Sequence, residues 1–339
     1  MTPATLPPDG LIAWLEQNLP GFEGPVTLSG FGVGQSNPTY RLTARSGDYV
    51  LRRKPPGALL ASAHAVDREF RILGALRPAG YPVPEVFAYC ADESIIGSVF
   101  YVMELVDGRV LRNGSLPGMS PAERRATYEA LADTLAALHR IDPDSIGLGD
   151  YGRPGNYYER QLDRWSRQYR AARIVPNAAM DALMERLPQT VPEVALPTIV
   201  HGDFRLDNLV LDATAPRVKA VLDWELSTLG DPLGDLAFML ISWVAPAHLT
   251  PNDSGFGDRN PEELGIPSLA EIVARYARAR GIDRPLALDW RIAFNLFRLA
   301  AIYEGISARA REGNATGSDA SAYADRIGPL AEIGLRMLA

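Results

Sequence analysis

Cysteine is nearly missing from this chain. Cys90 is the only one, so there is no intramolecular disulfide and no thiolate cluster for zinc, and a buried core thiol is expected. The four histidines are too scattered to propose a metal site. Long apolar runs are lacking too: the longest, Leu236 to Ala247, is too short to span a bilayer and reads as a core helix. At the N-terminus no basic region precedes an apolar stretch, so no signal peptide is expected, and a cytoplasmic protein without membrane contact follows. Excess positive charge is absent as well. A net charge of -7 argues against a nucleic-acid binder, whose footprint is a basic surface. Repeats and low-complexity segments do not occur.

What is present is 47% hydrophobic residues over 339 positions, ample for a sizeable core in one large domain or two lobes. The chemistry concentrates in two neighbouring stretches. His201-Gly202-Asp203-Phe204-Arg205-Leu206-Asp207-Asn208 runs into Leu209-Val210-Leu211, and after a short turn Val218-Lys219-Ala220-Val221 leads to Leu222-Asp223-Trp224-Glu225. The pattern reads as loop, strand, turn, strand, loop. An Asp followed by an Asn at this spacing, with a second Asp after the next strand, suits phosphoryl transfer. One carboxylate orients the attacking hydroxyl, while an amide oxygen and another carboxylate hold Mg2+ against the phosphates. The H-x-D-x-x-x-x-N string matches the protein-kinase catalytic loop with Gly202 in place of arginine, and Asp223-Trp224-Glu225 stands where kinases carry D-F-G.

On these residues the chain resembles the aminoglycoside phosphotransferase and choline kinase-like family, in the branch related to the kinase-like domains of acyl-CoA dehydrogenase proteins. The resemblance implies an α+β, two-lobed protein-kinase-like fold. A small N-terminal antiparallel-sheet lobe would occupy 1–105 and a larger, mainly helical C-terminal lobe 106–339. ATP is the implied co-substrate with Mg2+, Asp203 the implied catalytic residue, and Asn208 and Asp223 the implied metal ligands. His201 is expected to brace the loop rather than act as a base, and Glu225 to assist directly or through water.

The N-terminal third fits that expectation. Leu11 to Leu19 reads as a short amphipathic helix ended by Pro20-Gly21. Strands are expected at 26–29, 40–44 and 49–53, with a Gly-rich loop between the first two. Glycine lets backbone N–H groups approach phosphate oxygens, although alone the loop reads as a flexible turn. The resembling family has a Gly-rich turn followed by Ser/Asn here, which makes Gly32, Gly34, Ser36 and Asn37 candidate nucleotide contacts. Arg52 is the candidate phosphate-contacting cation where kinases usually carry Lys; strand alternation puts Arg53 on the other face without deciding between them. A helix over 61–76 carries Glu69, which the kinase arrangement pairs with the strand cation. The plainer alternative is a solvated face of Asp67, Arg68, Glu69 and Arg71. Strands at 85–89 and 99–105 follow. By resemblance, Met103 to Val106 is a hinge whose backbone binds adenine, with Glu104 and Val106 as the contacts.

In the remainder, Ser120-Pro121-Ala122-Glu123 is a capping box opening a helix that runs to His139. Residues 157–169 are helical and rich in Arg and aromatics, and belong near the acceptor site rather than to a nucleic-acid surface. Asp235 reads as the cap of a helix beginning at Leu236, and the resemblance adds that it braces the catalytic loop. Residues 251–267 read as a surface loop bordering the acceptor site. The longest helical pattern, 288–311, places Arg291, Asn295, Arg298, Ile302, Gly305 and Arg309 on one stripe. That stripe is either a solvated line or a cleft-facing one, in which Arg291, Asn295 and Arg298 bind an anionic acceptor.

The function expected is an ATP-dependent phosphotransferase acting on a hydroxyl of a small molecule, with neither nucleic acid nor membrane as partner. The branch resemblance and the Arg stripe favour an acidic acceptor such as a hydroxyacyl-CoA. A cationic acceptor of aminoglycoside or choline type is the alternative and would need clustered carboxylates. The competing class is a catalytically silent, nucleotide-binding pseudokinase, toward which Arg52 for Lys and the missing D-F-G glycine weigh.

Overall fold

The computed structural model describes residues 8–31, 37–55, 66–153, 155–194, 196–311 and 320–339. It divides into two compact units, one of residues 1–108 with 219–225, the other of residues 109–218 with 226–339. The architecture is α+β: a small five-stranded antiparallel sheet and a larger helical region.

In the first unit, α1 (Pro8–Asn18) precedes β1 (Thr27–Gly30), β2 (Thr39–Ala44) and β3 (Gly47–Arg53), then α2 (Val66–Leu76), β4 (Val86–Cys90) and β5 (Phe100–Glu104). The sheet order is β1-β2-β3-β5-β4, with every pairing antiparallel. Leu11, Leu15 and Leu19 recur at helical spacing on α1 and are buried with Leu42, Leu51, Phe100 and Val102 of the sheet. Burying each such side chain contributes about 1.5–3 kcal/mol, which makes α1 part of the core. Cys90 lies in the same cluster as a buried thiol. On α2 the apolar face of Val66, Ile72, Leu73 and Leu76 also carries Glu69, which is 1% exposed. The solvated-face alternative therefore fails for Glu69, while Asp67 and Arg71 on the other side are exposed.

The second unit opens with α3 (Pro121–Leu138), α4 (Tyr157–Ala172) and α5 (Ala178–Arg186), then β6 (Thr198–Val200) and β7 (Leu209–Leu211). The strand β8 (Val218–Val221) begins in this unit and ends in the first. After it come β9 (Thr228–Gly230), α6 (Pro232–Met239), α7 (Ile241–Val244), α8 (Leu269–Arg280), α9 (Asp289–Arg311) and α10 (Ala320–Met337). The capping box at Ser120 and Glu123 starts α3, and a second, Ser268 with Glu271, starts α8. From Trp290 to Ala301 every residue of α9 is buried, so this helix is an axis of the unit rather than a surface element.

Two expectations are corrected here. The apolar run from Leu236 is not one helix, because α6 ends at Met239 and the short α7 follows Leu240. The cap of α6 is Asp231, whose Oδ1 accepts the Leu233 N–H at 3.0 Å, with Pro232 in the first turn. Asp235 lies inside the helix and is thereby released for another task.

Candidate active site

In the first unit the candidate side chains gather around one guanidinium. Arg52, on β3, directs Nε to Glu69 at 2.9 Å and Nη2 to Asp223 at 2.6 Å, with Glu225 Oε2 at 3.7 Å. Asn37 joins this chain, its Nδ2 donating to Glu69 Oε2 at 3.4 Å. Arg53, indistinguishable from Arg52 in sequence, faces the other way, 9% exposed, and makes no ion pair among the described residues. Burial opposes the Arg52 charge, but the surrounding acidic groups, Glu69 foremost, more than reverse it and raise its pKa above the usual arginine value. The same burial pushes Glu69 up to about 8, with Asp223 and Glu225 adding to the rise and Arg52 opposing it.

Tyr101 is a member of this cluster that sequence reasoning missed. It is the cross-strand partner of Arg52, is 1% exposed, and donates its hydroxyl to Glu69; burial foremost raises its pKa well above the phenol range. The only sequence signal was an aromatic in a strand next to the cation-bearing one. At the end of β5, the Glu104 N–H donates to the Glu85 carbonyl and the Glu104 carboxylate accepts the Glu85 N–H. The Val106 N–H, just beyond, donates to no described residue. Gly32, Gly34 and Ser36 lie outside the described residues. Asp223 has φ +66, a left-handed conformation that few residues other than glycine adopt, and Trp224 beside it is pinned by its indole N–H to the Val221 carbonyl.

In the second unit the loop after β6 is held from several sides. Asp235 accepts the backbone N–H of His201 at 2.5 Å and of Gly202 at 2.8 Å. Burial works against the Asp235 charge, yet its contact with His139 and the Gly202 N–H keep its pKa below the usual carboxylate value. His139 itself is lowered by burial, with Asp235 opposing, and its other ring nitrogen meets the Tyr276 hydroxyl at 2.7 Å. The His201 ring is fully buried and its Nδ1 accepts the Asp203 N–H at 3.1 Å, so it shapes the backbone under Asp203. Gly202 has φ +84, and a Cβ there would stand 2.7 Å from the Leu226 carbonyl oxygen. Only glycine fits, which accounts for its presence where kinases have arginine.

These contacts leave the Asp203 carboxylate aimed by its own loop. Asn208 Nδ2 donates to the Asp203 carbonyl at 2.8 Å and to Asp203 Oδ2 at 3.1 Å. Arg205, also missed in sequence, sits 3.3 Å from Asp203 and 3.3 Å from Asp207. With its amide nitrogen committed twice, Asn208 has its amide oxygen turned away from Asp203. Amide and carboxylate oxygens are the hard donors Mg2+ prefers, so the Asn208 and Asp223 side chains fit that ion chemically.

The polar stripe of α9 has another destination. Arg291 Nε pairs with Asp231 at 2.6 Å, and Tyr158 donates to the same carboxylate oxygen at 2.8 Å. Asn295 Nδ2 donates to the Gly234 and Arg291 carbonyls. Both residues are buried, at 6% and 2% exposure, so the acceptor role expected of them gives way to fastening α9 onto the start of α6. Arg298 donates to the Gly202 carbonyl, which ties α9 directly to the loop that carries Asp203. Separately, a cavity of about 350 Å³ lies beside the 247–264 segment, with Asp253, Asp258 and Arg259 in its wall. Asn252 links this segment to Asp207 at 2.6 Å.

An antiparallel sheet bearing an Arg–Glu pair, together with a braced H-x-D loop, defines a kinase-like phosphotransferase. The chain belongs to the phosphotransferase enzyme family, whose model matches residues 27–290. Over 337 residues it is 45% identical to acyl-CoA dehydrogenase family member 11 of Rattus norvegicus, a match covering 96% of this chain and 42% of the relative. The chain thus spans 28–42% of the length of the curated relatives it matches. A crystal structure from Ralstonia eutropha, described as a candidate aminoglycoside phosphotransferase, is 44% identical, with TM-score 0.86 over 97% of each chain. A spectinomycin phosphotransferase solved with ADP and spectinomycin shares the fold at 12% identity and TM-score 0.64, covering 99% of each chain. No helix among the described residues is long and apolar enough to cross a membrane.

Proposed function

We propose that this protein transfers the γ-phosphoryl group of ATP to a hydroxyl of a small acidic molecule, with a hydroxyacyl-CoA among the candidates. The observation that carries the reading is the Asp203 carboxylate, held by Asn208 on a loop whose backbone is fixed by Asp235 and His201. Asp203 accepts the proton of the acceptor hydroxyl and orients its oxygen toward phosphorus. Because the transition state of phosphoryl transfer is loose, positioning and charge neutralisation outweigh base strength, which suits a carboxylate fixed by its loop. Arg52, steadied by Glu69, neutralises phosphate oxygens, and the Val106 N–H would donate to adenine. Asn208 and Asp223 would hold Mg2+, which when bound screens the phosphate charge. The names of the relatives support an acyl-CoA-linked acceptor, as does an Arg298 guanidinium with no carboxylate partner among the described residues.

Asp203→Asn tests this reading. It should abolish ATP-dependent phosphorylation, read as ADP release in the presence of candidate hydroxy acids and their CoA thioesters, while leaving the MgATP-induced thermal shift intact. Retained turnover would sink the mechanism. A parent protein that binds MgATP yet turns over with no acceptor would favour the pseudokinase reading. The cationic-acceptor alternative draws on one feature, Asp253 and Asp258 in the 350 Å³ cavity, offset there by Arg259. Turnover of aminoglycosides or choline in the same assay would establish it.

A further inference from the structure

Beside Arg298, the space between α4 and α9 opens into a groove of about 650 Å³, a volume typical of small-molecule sites. Its floor is apolar, formed by Trp165 and Ala172 from α4 and by Ala301, Ile302 and Ala308 from α9, and Ile174 at its rim is 60% exposed. Gly305 lies on the same face. A glycine inside a long helix is disfavoured relative to alanine, so it calls for a reason. Among the described residues a Cβ at this position would meet only Arg309 Nη1, at 3.6 Å, so no close packing there requires the glycine. What its missing side chain provides is groove width.

The charge along this groove is positive and incompletely answered. Arg173, Arg309 and Arg311 contribute to its lining. Arg173 is paired with Asp181, and the Arg311 charge acts on Glu304, a buried carboxylate that accepts the Ile174 N–H. Arg309 makes no ion pair among the described residues. At the Trp165 end, the guanidinium carbons of Arg164 and Arg298 lie 5.1 and 5.4 Å from the indole centroid. Neither has a carboxylate partner among the described residues. Arg298 is only 8% exposed and its Nε has no hydrogen-bond partner among the described residues, an expensive condition for a buried cation unless an anion arrives. Burial, and then the Arg298 charge, lower the Arg164 pKa, as expected of like charges held together.

We propose that this groove binds the non-reacting arm of the acceptor, an amphipathic anion whose apolar chain lies along Ile302 and Gly305 and whose acidic group is met by these arginines. The assignment rests on the phosphotransferase reading only in naming the occupant an acceptor. Because Arg298 also holds the Gly202 carbonyl, one end of the groove is a single side chain away from the catalytic loop.

The test is a titration of the full chain with octyl phosphate, octyl glucoside and inorganic phosphate, followed by calorimetry, with no turnover required. Octyl phosphate should bind the parent at least about tenfold more tightly than either of the others, since one decade is about 1.4 kcal/mol. Gly305→Leu should lose at least about tenfold in that affinity while melting no lower than the parent, because leucine is the better helix former and the space is open. Arg309→Ala should weaken octyl phosphate several-fold and leave octyl glucoside unchanged. Equal binding by the parent and Gly305→Leu would overturn the proposal, as would octyl glucoside matching octyl phosphate. A groove that behaves as stated in a protein that never consumes ATP would sink the kinase reading alone. Turnover untouched by Gly305→Leu, with octyl phosphate failing to compete, would sink the groove alone.

Discussion

Arg52 Nη2 lies 2.6 Å from Asp223 Oδ1 while Nε of the same guanidinium lies 2.9 Å from Glu69 Oε2. A planar fork can face two carboxylates at once; a lysine ammonium is a point charge on a flexible stem. Arginine in this position is therefore matched to its surroundings, and its departure from the kinase lysine does not by itself signal a dead site. Arg52→Lys should raise the KM for MgATP by about tenfold with a modest fall in kcat. Arg52→Ala should remove turnover and lower the melting temperature, because Glu69, Asp223 and Glu225 would lose the cation they share. Steady-state ADP release and thermal melts of both variants check this. Unchanged kinetics in Arg52→Ala would remove Arg52 from the site.

Glu69 gives the first unit a pH dependence of unusual sign. Burial raises its pKa from the usual 4.5 to about 8, so between those values the folded state binds more protons than the unfolded chain. Stability from this source is fully present below 4.5 and is lost as pH rises through about 8. The protein should melt at a lower temperature at the alkaline end of that window than in its middle. Glu69→Gln, which keeps the shape and cannot ionise, should flatten the slope. A Glu69→Gln profile that tracks the parent would show that the dependence arises elsewhere.

Gly202 tests how far the loop backbone controls catalysis. With φ +84 and the Leu226 carbonyl only 2.7 Å from a prospective Cβ, alanine must shift the chain under Asp203. Strain of this kind costs about 1–3 kcal/mol. Gly202→Ala should reduce kcat by about a hundredfold or more, since misplacing a catalytic group by 1 Å has that order of effect. MgATP affinity, measured by thermal shift, should hardly change. A full loss of nucleotide binding would place Gly202 in a different role.

Much of this was legible in the chain because phosphoryl transfer constrains residue type and spacing within short segments. The H-x-D-x-x-x-x-N string and the flanking strands fall where the pattern put them, and the capping box at Ser120 was readable letter by letter. The illegible parts depend on partners distant in sequence. Asp231 and Asp235 both precede apolar residues, and only the fold shows that the first caps α6 while the second reaches back to the loop. Glu69 was readable as the partner of the β3 cation from the order of strand and helix, with a solvated face as the alternative, whereas Tyr101 beside the pair was not. The α9 stripe was visible as polarity, but its meaning came from Asp231, Gly234 and Gly202, which the helical period cannot name.

That reassignment yields the sharpest contrast between neighbours on one helix. Arg291 is paired within the core with Asp231, whose carboxylate is also held by Tyr158 and the Leu233 N–H. Removing one member of a buried pair typically destabilises by about 3–5 kcal/mol, or a fall in melting temperature of roughly 4–7 °C in a chain this size. Arg291→Ala should show that fall. Because the side chain is buried and committed to Asp231, octyl phosphate affinity and the KM for MgATP should stay within about twofold of the parent when measured well below the melting point. The Arg298 position, two side chains further along the stripe, should behave differently: Arg298→Met should weaken octyl phosphate by about tenfold or more and reduce kcat by loosening Gly202. If Arg291→Ala instead lost ligand affinity without losing stability, the original acceptor role would be restored to Arg291 and the stripe would have to be read as one continuous binding surface.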